Sequence, residues 1–233
     1  MELTVRNGAG DVVNLNFLGG STTNTQIIVG NGVNDFVNAD YSSNDTIIVG
    51  NGAGDTVKAN DSSNDKITLG NGAGDVVDVS TNFGSTTITV GDGNNDTVIA
   101  SQASDCTITV GNGNDTIYVG RDNTVTVGTG RDSFIFQQTT PGNISAVTII
   151  GFDPNKDVIT FSNQLTTSVS FHDNAQGNAV ITVDNAGDTI TLVGVHASEL
   201  HPSDFHFVDP AAAVASSPSP AQQLAEHHAS FLL

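Results

Sequence analysis

Along residues 1 to 136, short apolar strands alternate with polar turns at a nearly fixed period. Aligned on the glycine that ends each strand, they read Gln26-Ile-Ile-Val-Gly30, Thr46-Ile-Ile-Val-Gly50, Lys66-Ile-Thr-Leu-Gly70, Thr87-Ile-Thr-Val-Gly91, Thr107-Ile-Thr-Val-Gly111 and Thr124-Val-Thr-Val-Gly128. The spacings are 20, 20, 21, 20 and 17 residues. Each period splits into two halves of turn, aspartate and strand, as in Gly50-Asn-Gly-Ala-Gly-Asp-Thr-Val-Lys-Ala59 followed by Asn60-Asp-Ser-Ser-Asn-Asp-Lys-Ile-Thr-Leu69. Within a strand the apolar residues alternate with outward ones, Val57 with Ala59 and Ile67 with Leu69, which is the period of two expected of a half-buried strand. So short a strand buries little alone, but like strands stacked ~4.8 Å apart bury a continuous aliphatic seam. The pattern predicts an all-β, parallel β-solenoid of about six turns of ~20 residues, a rod roughly 30 Å long. A sandwich of antiparallel hairpins would share the short strands and Gly turns but has no reason to hold a 20-residue register.

The turns carry the chemistry. Tight reversal calls for positive φ and accounts for Gly and Asn. It does not account for an aspartate at the same place in every rung: Asp11, Asp35, Asp55, Asp75, Asp96, Asp115 and Asp132. Stacked in parallel, these carboxylates repel one another, and a cation between them removes the repulsion. Oxygen ligands from Asp and backbone carbonyls suit Ca²⁺, and the absence of in-repeat His or Cys clusters argues against zinc. Asx capping would also place Asp in turns, but with looser register. Asn31, Asn51, Asn71 and Asn112 fit a stacked amide ladder. The opposite edge repeats the aspartates at Asp45, Asp65 and Asp105, with Ser42-Ser43 and Ser62-Ser63 where the first edge has glycine, so a second ion ladder is expected to be only partly occupied.

Composition sharpens this picture. The chain has 233 residues, with 25 acidic against 6 basic side chains and a formal charge of −19. Such a field attracts cations and disfavours nucleic acid and anionic membranes as partners. No run approaches the ~18 apolar residues of a membrane span. The start, Met1-Glu2-Leu3-Thr4-Val5-Arg6, lacks the basic and apolar regions of a signal peptide. One cysteine, Cys106, excludes an internal disulfide and reads as a small inward or turn residue.

The turns resemble the repeats-in-toxin nonapeptide, Gly-Gly-x-Gly-x-Asp-x-U-x with U apolar, a calcium-binding β-helix repeat. Val110-Gly-Asn-Gly-Asn-Asp-Thr-Ile-Tyr118 fits best, with Asp115 and Ile117 at the diagnostic sites, while most copies carry one extra residue, as in Gly50-Asn-Gly-Ala-Gly-Asp55. The resemblance implies a right-handed β-roll whose calcium ligands are the turn aspartates together with the turn glycines Gly50, Gly52, Gly70, Gly72, Gly91, Gly93, Gly111 and Gly113. Gly128-Thr-Gly-Arg-Asp-Ser-Phe-Ile-Phe136 looks like the family's last turn, closed by aromatics. The segment Ile149-Ile-Gly-Phe-Asp-Pro-Asn-Lys-Asp-Val-Ile-Thr-Phe161 is similar to its flanking region, with Asp153 and Asp157 as further ligands. Then follow Gly177 to Val183, Gly187 to Val195 and Glu199 to Phe207, an order similar to the C-terminal region of type I secretion substrates.

Three segments result: calcium-binding repeats over 1–136, a β capping region over 137–208, and a tail over 209–233. The tail is rich in Ala, Ser and Pro, reads as disordered with an amphipathic end, and carries the export signal that the resemblance implies, closing on Phe231-Leu232-Leu233. The expected function is a calcium-dependent export, folding and scaffold module of a secreted, extracellular bacterial protein, with the type I secretion machinery as partner and an extracellular polysaccharide or cell surface as a further one. Catalysis is not expected. His172, His196, His201, His206, His227 and His228 lie after the repeats without metal-site spacing, and no Gly-x-Ser-x-Gly elbow occurs. A polysaccharide-modifying β-helix enzyme would need basic and aromatic grips, whereas Arg6, Lys58, Lys66, Arg121 and Arg131 are scattered and Trp is absent. The alternatives are a non-catalytic module of such an enzyme, or a surface-binding rod, adhesin or ice-binding solenoid, using the outward pairs Thr87/Thr89, Thr107/Thr109 and Thr124/Thr126. Gln26, Ile28, Ile48 and Lys66 break that array in the earlier turns.

Overall fold

The computed structural model describes residues 1–15, 23–82, 84–137, 144–162, 169–183 and 187–208. The tail over 209–233, with its expected export signal, lies outside them. Seven turns of two strands each come first: β1 (Glu2–Val5) and β2 (Val12–Asn14), β3 (Gln26–Val29) and β4 (Phe36–Asn38), β5 (Thr46–Ile48) and β6 (Thr56–Lys58), β7 (Lys66–Thr68) and β8 (Val76–Asp78), β9 (Thr87–Val90) and β10 (Thr97–Ile99), β11 (Thr107–Val110) and β12 (Thr116–Val119), β13 (Thr124–Thr126) and β14 (Ser133–Gln137). Odd strands stack in one parallel sheet, sheet A, and even strands in a second, sheet B. This is the parallel β-solenoid, with one turn more than the glycine count suggests because β1 and β2 precede the first aligned repeat.

The two sheets do not stop at residue 137. β15 (Ala146–Ile150) and β16 (Val158–Ser162) add to the sheets in parallel, as do β19 (Asp188–Val193) and β20 (Phe205–Val208). β17 (Val169–Asp173) and β18 (Ala179–Val183) instead pair antiparallel and close the edge of sheet A on β19.

Alternation sets the core. Ile27, Ile47, Ile67, Ile88 and Ile108 form one inward column of sheet A, each 0 % exposed and each in register with the next. Opposite them Val37, Val57, Val77, Val98 and Ile117 line sheet B. Each such side chain contributes ~1.5–3 kcal/mol by burial, so a turn holds only because its neighbours cover both its faces. The second inward column of sheet B runs through Ala39, Ala59, Val79, Ala100 and Val119, then changes to Phe136, Phe161 and Phe207 as the strands lengthen. These rings stack with centroids 5.7 and 5.4 Å apart, filling the C-terminal turns.

Candidate cation-binding column

On the edge where sheet A leads into sheet B, the residue before each of the first five aspartates is left-handed: Gly10 (φ 70), Asn34 (58), Gly54 (75), Gly74 (75) and Asn95 (65). Only Gly, and with less ease Asn, adopts this conformation at low cost, and it turns the following aspartate inward. Each Oδ1 then accepts the backbone N–H of the aspartate one turn earlier: Asp35 from Asp11 at 2.9 Å, Asp55 from Asp35 at 2.8 Å, Asp75 from Asp55 at 2.9 Å, Asp96 from Asp75 at 2.9 Å and Asp115 from Asp96 at 2.9 Å. Asp132 and Asp157 extend the column, accepting from Asp115 at 3.0 Å and Asp132 at 2.8 Å. The sequence separations vary between 17 and 25 residues, so the column is held by hydrogen-bond register and not by spacing.

The second carboxylate oxygen behaves differently along the column. At the ends it has a donor: Gly8 N–H reaches Asp11 Oδ2 at 3.2 Å, and Asp153 N–H reaches Asp157 Oδ2 at 2.8 Å. Between them, Oδ2 of Asp35, Asp55, Asp75, Asp96, Asp115 and Asp132 is buried with no hydrogen-bond partner. Burial pushes Asp75 and Asp115 up to about 6 and Asp132 up to about 7. Asp55, Asp96 and Asp157 are raised by the same cause.

The turn glycines explain where these oxygens point. A methyl built on Gly52 would overlap the carbonyl oxygen of Gly32 one turn earlier and lie 2.9 Å from Asp55 Oδ2. The same holds at Gly72, between the Gly52 carbonyl and Asp75 Oδ2, and at Gly93, Gly113 and Gly32. The second glycine of each Gly-Asn-Gly turn therefore has no alternative, since successive backbones pass too close for a Cβ. Among the described residues no N–H donates to the Gly32, Gly52, Gly72 or Gly93 carbonyl. Turn after turn, an unpartnered carbonyl and an unpartnered carboxylate oxygen border the same small space. This oxygen-only donor set fits a hard cation in type. Each turn supplies one carboxylate, and no group of three or more His, Cys, Asp or Glu side chains converges among the described residues. The first glycines differ: the Gly30 and Gly50 carbonyls accept from Gly50 and Gly70 N–H at 3.1 and 3.0 Å and are already used in the backbone stack.

No protein-family model matches the chain, and the curated proteins hold no match to it.

The opposite edge is built on the same plan with a different outcome. Asp45 Oδ1 accepts from Thr25 N–H at 2.7 Å and Asp65 Oδ1 from Asp45 N–H at 2.9 Å. Here the position three residues before the aspartate is serine, and Ser62 Oγ donates to Asp65 Oδ2 at 2.6 Å while Ser42 Oγ donates to Asp45 Oδ2. The hydroxyls supply what the glycine edge lacks. Asp65 is nonetheless pushed up to about 6, chiefly by burial. Asp105 departs from its expected place: it is the exposed left-handed residue (φ 58), and the inward position belongs to Cys106, whose N–H donates to Asn123 Oδ1 at 2.9 Å. Asp105 stands one residue too early, with Thr107 and not Cys106 in register with Thr87. Asp153 lies outside the column, paired with Lys156 at 2.8 Å, which holds its carboxyl low. Asn31, Asn51 and Asn71 stack as expected, Asn51 N–H donating to Asn31 Oδ1 at 2.8 Å and Asn71 N–H to Asn51 Oδ1 at 2.9 Å, but Asp92 interrupts the amides before Asn112, whose N–H donates to Asp92 Oδ1 at 2.8 Å.

Proposed function

We propose that this chain is a calcium-binding repeat rod of the repeats-in-toxin type, which folds on calcium after export and acts as the folding and scaffold module of an extracellular protein. The observation that carries the reading is the contrast between the two edges: the serine edge satisfies its buried carboxylates internally, and the glycine edge leaves six in a row unsatisfied, four of them (Asp55, Asp75, Asp96 and Asp115) beside bare carbonyls. The residues that would hold the ions are Asp35, Asp55, Asp75, Asp96, Asp115 and Asp132 with the carbonyls of Gly32, Gly52, Gly72 and Gly93. Bound there, calcium supplies the positive charge that lets neighbouring buried carboxylates ionise together. Without it, the short strands and like charges work against folding, and the chain stays in an exportable state.

Circular dichroism of the chelated chain with and without millimolar calcium tests this. A β spectrum that appears only with calcium, with magnesium much less effective, is expected. A chelated chain that is fully β and takes up no calcium in calorimetry overturns it. The export route rests on the resemblance of the region after residue 136, and a drop in export on removing residues 209–233 tests it. No enzyme activity is proposed.

A further inference from the structure

The outer face of sheet A carries a pattern that the cation column does not use. Following the strand register outward, Thr68, Thr89, Thr109 and Thr126 stand directly above one another. The column continues through Ile48 and Ile28 to Thr4 at one end and through Ile150 and Val193 at the other. All nine positions are β-branched and none is charged. Ile48, Ile150 and Val193 are among the few large apolar side chains left exposed, at 37, 38 and 38 %. The neighbouring outward column reads Thr87, Thr107, Thr124, Thr148 and Thr191 over its last five turns. Ile28 and Ile48, which look like interruptions in the sequence, are members of the column.

Simple β-propensity does not account for this, because sheet B is made of equally short strands and its outer face is mixed. The corresponding column there runs Asn14, Asn38, Lys58, Asp78, Ile99 and Tyr118. In a chain of net charge −19, sheet A presents beyond Lys66 a face of two columns with no charged group. That favours an uncharged partner and disfavours ions, nucleic acid and acidic or basic polymers. The two columns hold no aromatic ring to stack on a sugar. What the face offers is a grid: side chains repeat ~4.8 Å along the rod and ~6.6 Å across it, the strand spacing and twice the residue rise. β-Branched side chains are held to few rotamers, so methyls and hydroxyls keep that grid.

From this we infer that the outer face of sheet A binds the surface of ice. Hydroxyls spaced on a regular grid hydrogen-bond to lattice water, and the methyls between them order the water that fills the remaining gaps. The rigid solenoid keeps both in place, so little ordering is left to occur on contact.

The test is freezing-point hysteresis of the full chain in millimolar calcium, after circular dichroism has established the β fold. Wild type is expected to show hysteresis and faceted crystals. Thr109→Tyr in the centre of the face is expected to lose both with its β spectrum intact, and Thr107→Lys serves in its place should the first variant not fold. Thr116→Lys on the outer face of sheet B is expected to keep wild-type hysteresis. Absence of hysteresis in the folded wild type, or its survival in a folded Thr109→Tyr or Thr107→Lys, overturns the proposal. So does adsorption to cellulose or chitin particles without hysteresis, which would make the face a glycan surface. The calcium reading is separable, since a chain that folds without calcium still presents this face.

Discussion

Acidifying the ion-free rod should stabilise it, the reverse of the usual acid denaturation. Burial raises Asp75 and Asp115 from 3.8 to about 6 and Asp132 to about 7. A carboxyl with a raised folded-state pKa binds its proton more tightly folded than unfolded, so its contribution is fully present below about pH 4 and lost as the pH climbs through 6 to 7. Raising a carboxyl from 3.8 to about 6 corresponds to ~3 kcal/mol, and raising Asp132 to about 7 corresponds to ~4 kcal/mol. Neighbours in the column influence one another, so these do not add, but one such term is already a sizeable part of the ~5–15 kcal/mol that holds a domain together. At ~2–4 °C per kcal/mol for a chain of this size, this is worth roughly 10 °C in Tm between pH 7.5 and pH 5, so the chelated chain, without a β fold at pH 7.5, should gain one as the pH falls toward 5. Calcium should flatten the profile by favouring the ionised form. The assay is a thermal melt followed by circular dichroism at half-unit pH steps, with chelator and with calcium. Reduced self-repulsion of a strongly acidic chain also favours low pH, so the triple variant Asp75→Asn, Asp115→Asn, Asp132→Asn is the control. Asn keeps the Oδ1 acceptor for the preceding turn and removes the titration. A chelated chain that gains neither β structure nor thermal stability as the pH falls from 7.5 to 5, or a triple variant with the wild-type pH dependence, refutes the reasoning.

Gly52→Ala places a methyl onto the Gly32 carbonyl and should cost more than ~4 kcal/mol, read as a lost or strongly lowered urea midpoint. Ser62→Ala removes the donor to Asp65 Oδ2 and leaves a buried acceptor unpaired, which costs about 1–3 kcal/mol in thermal melts. Phe161→Ala takes the middle ring from the Phe136, Phe161 and Phe207 stack and should cost about 3–5 kcal/mol, weakening the C-terminal turns first in hydrogen exchange.

Much of this architecture can be read from local residue order. In-and-out alternation within a strand is a property of three or four consecutive residues, so Val57, Ala59, Ile67 and Leu69 are legible as core, and the left-handed Gly or Asn before Asp11, Asp35, Asp55, Asp75 and Asp96 is equally local. That made the parallel solenoid and the Gly-side aspartates readable before any coordinates. Which residue lies above which is not local. It depends on hydrogen bonds between turns whose lengths differ, and a change of one residue moves a side chain to the other face. Hence only the tertiary structure decided that Asp157 ends the aspartate column and that Ile28 and Ile48 join the threonines on one face. It also decided the difference between the two edges, because whether a carboxylate oxygen meets a serine hydroxyl or a bare glycine carbonyl depends on how closely successive backbones pass.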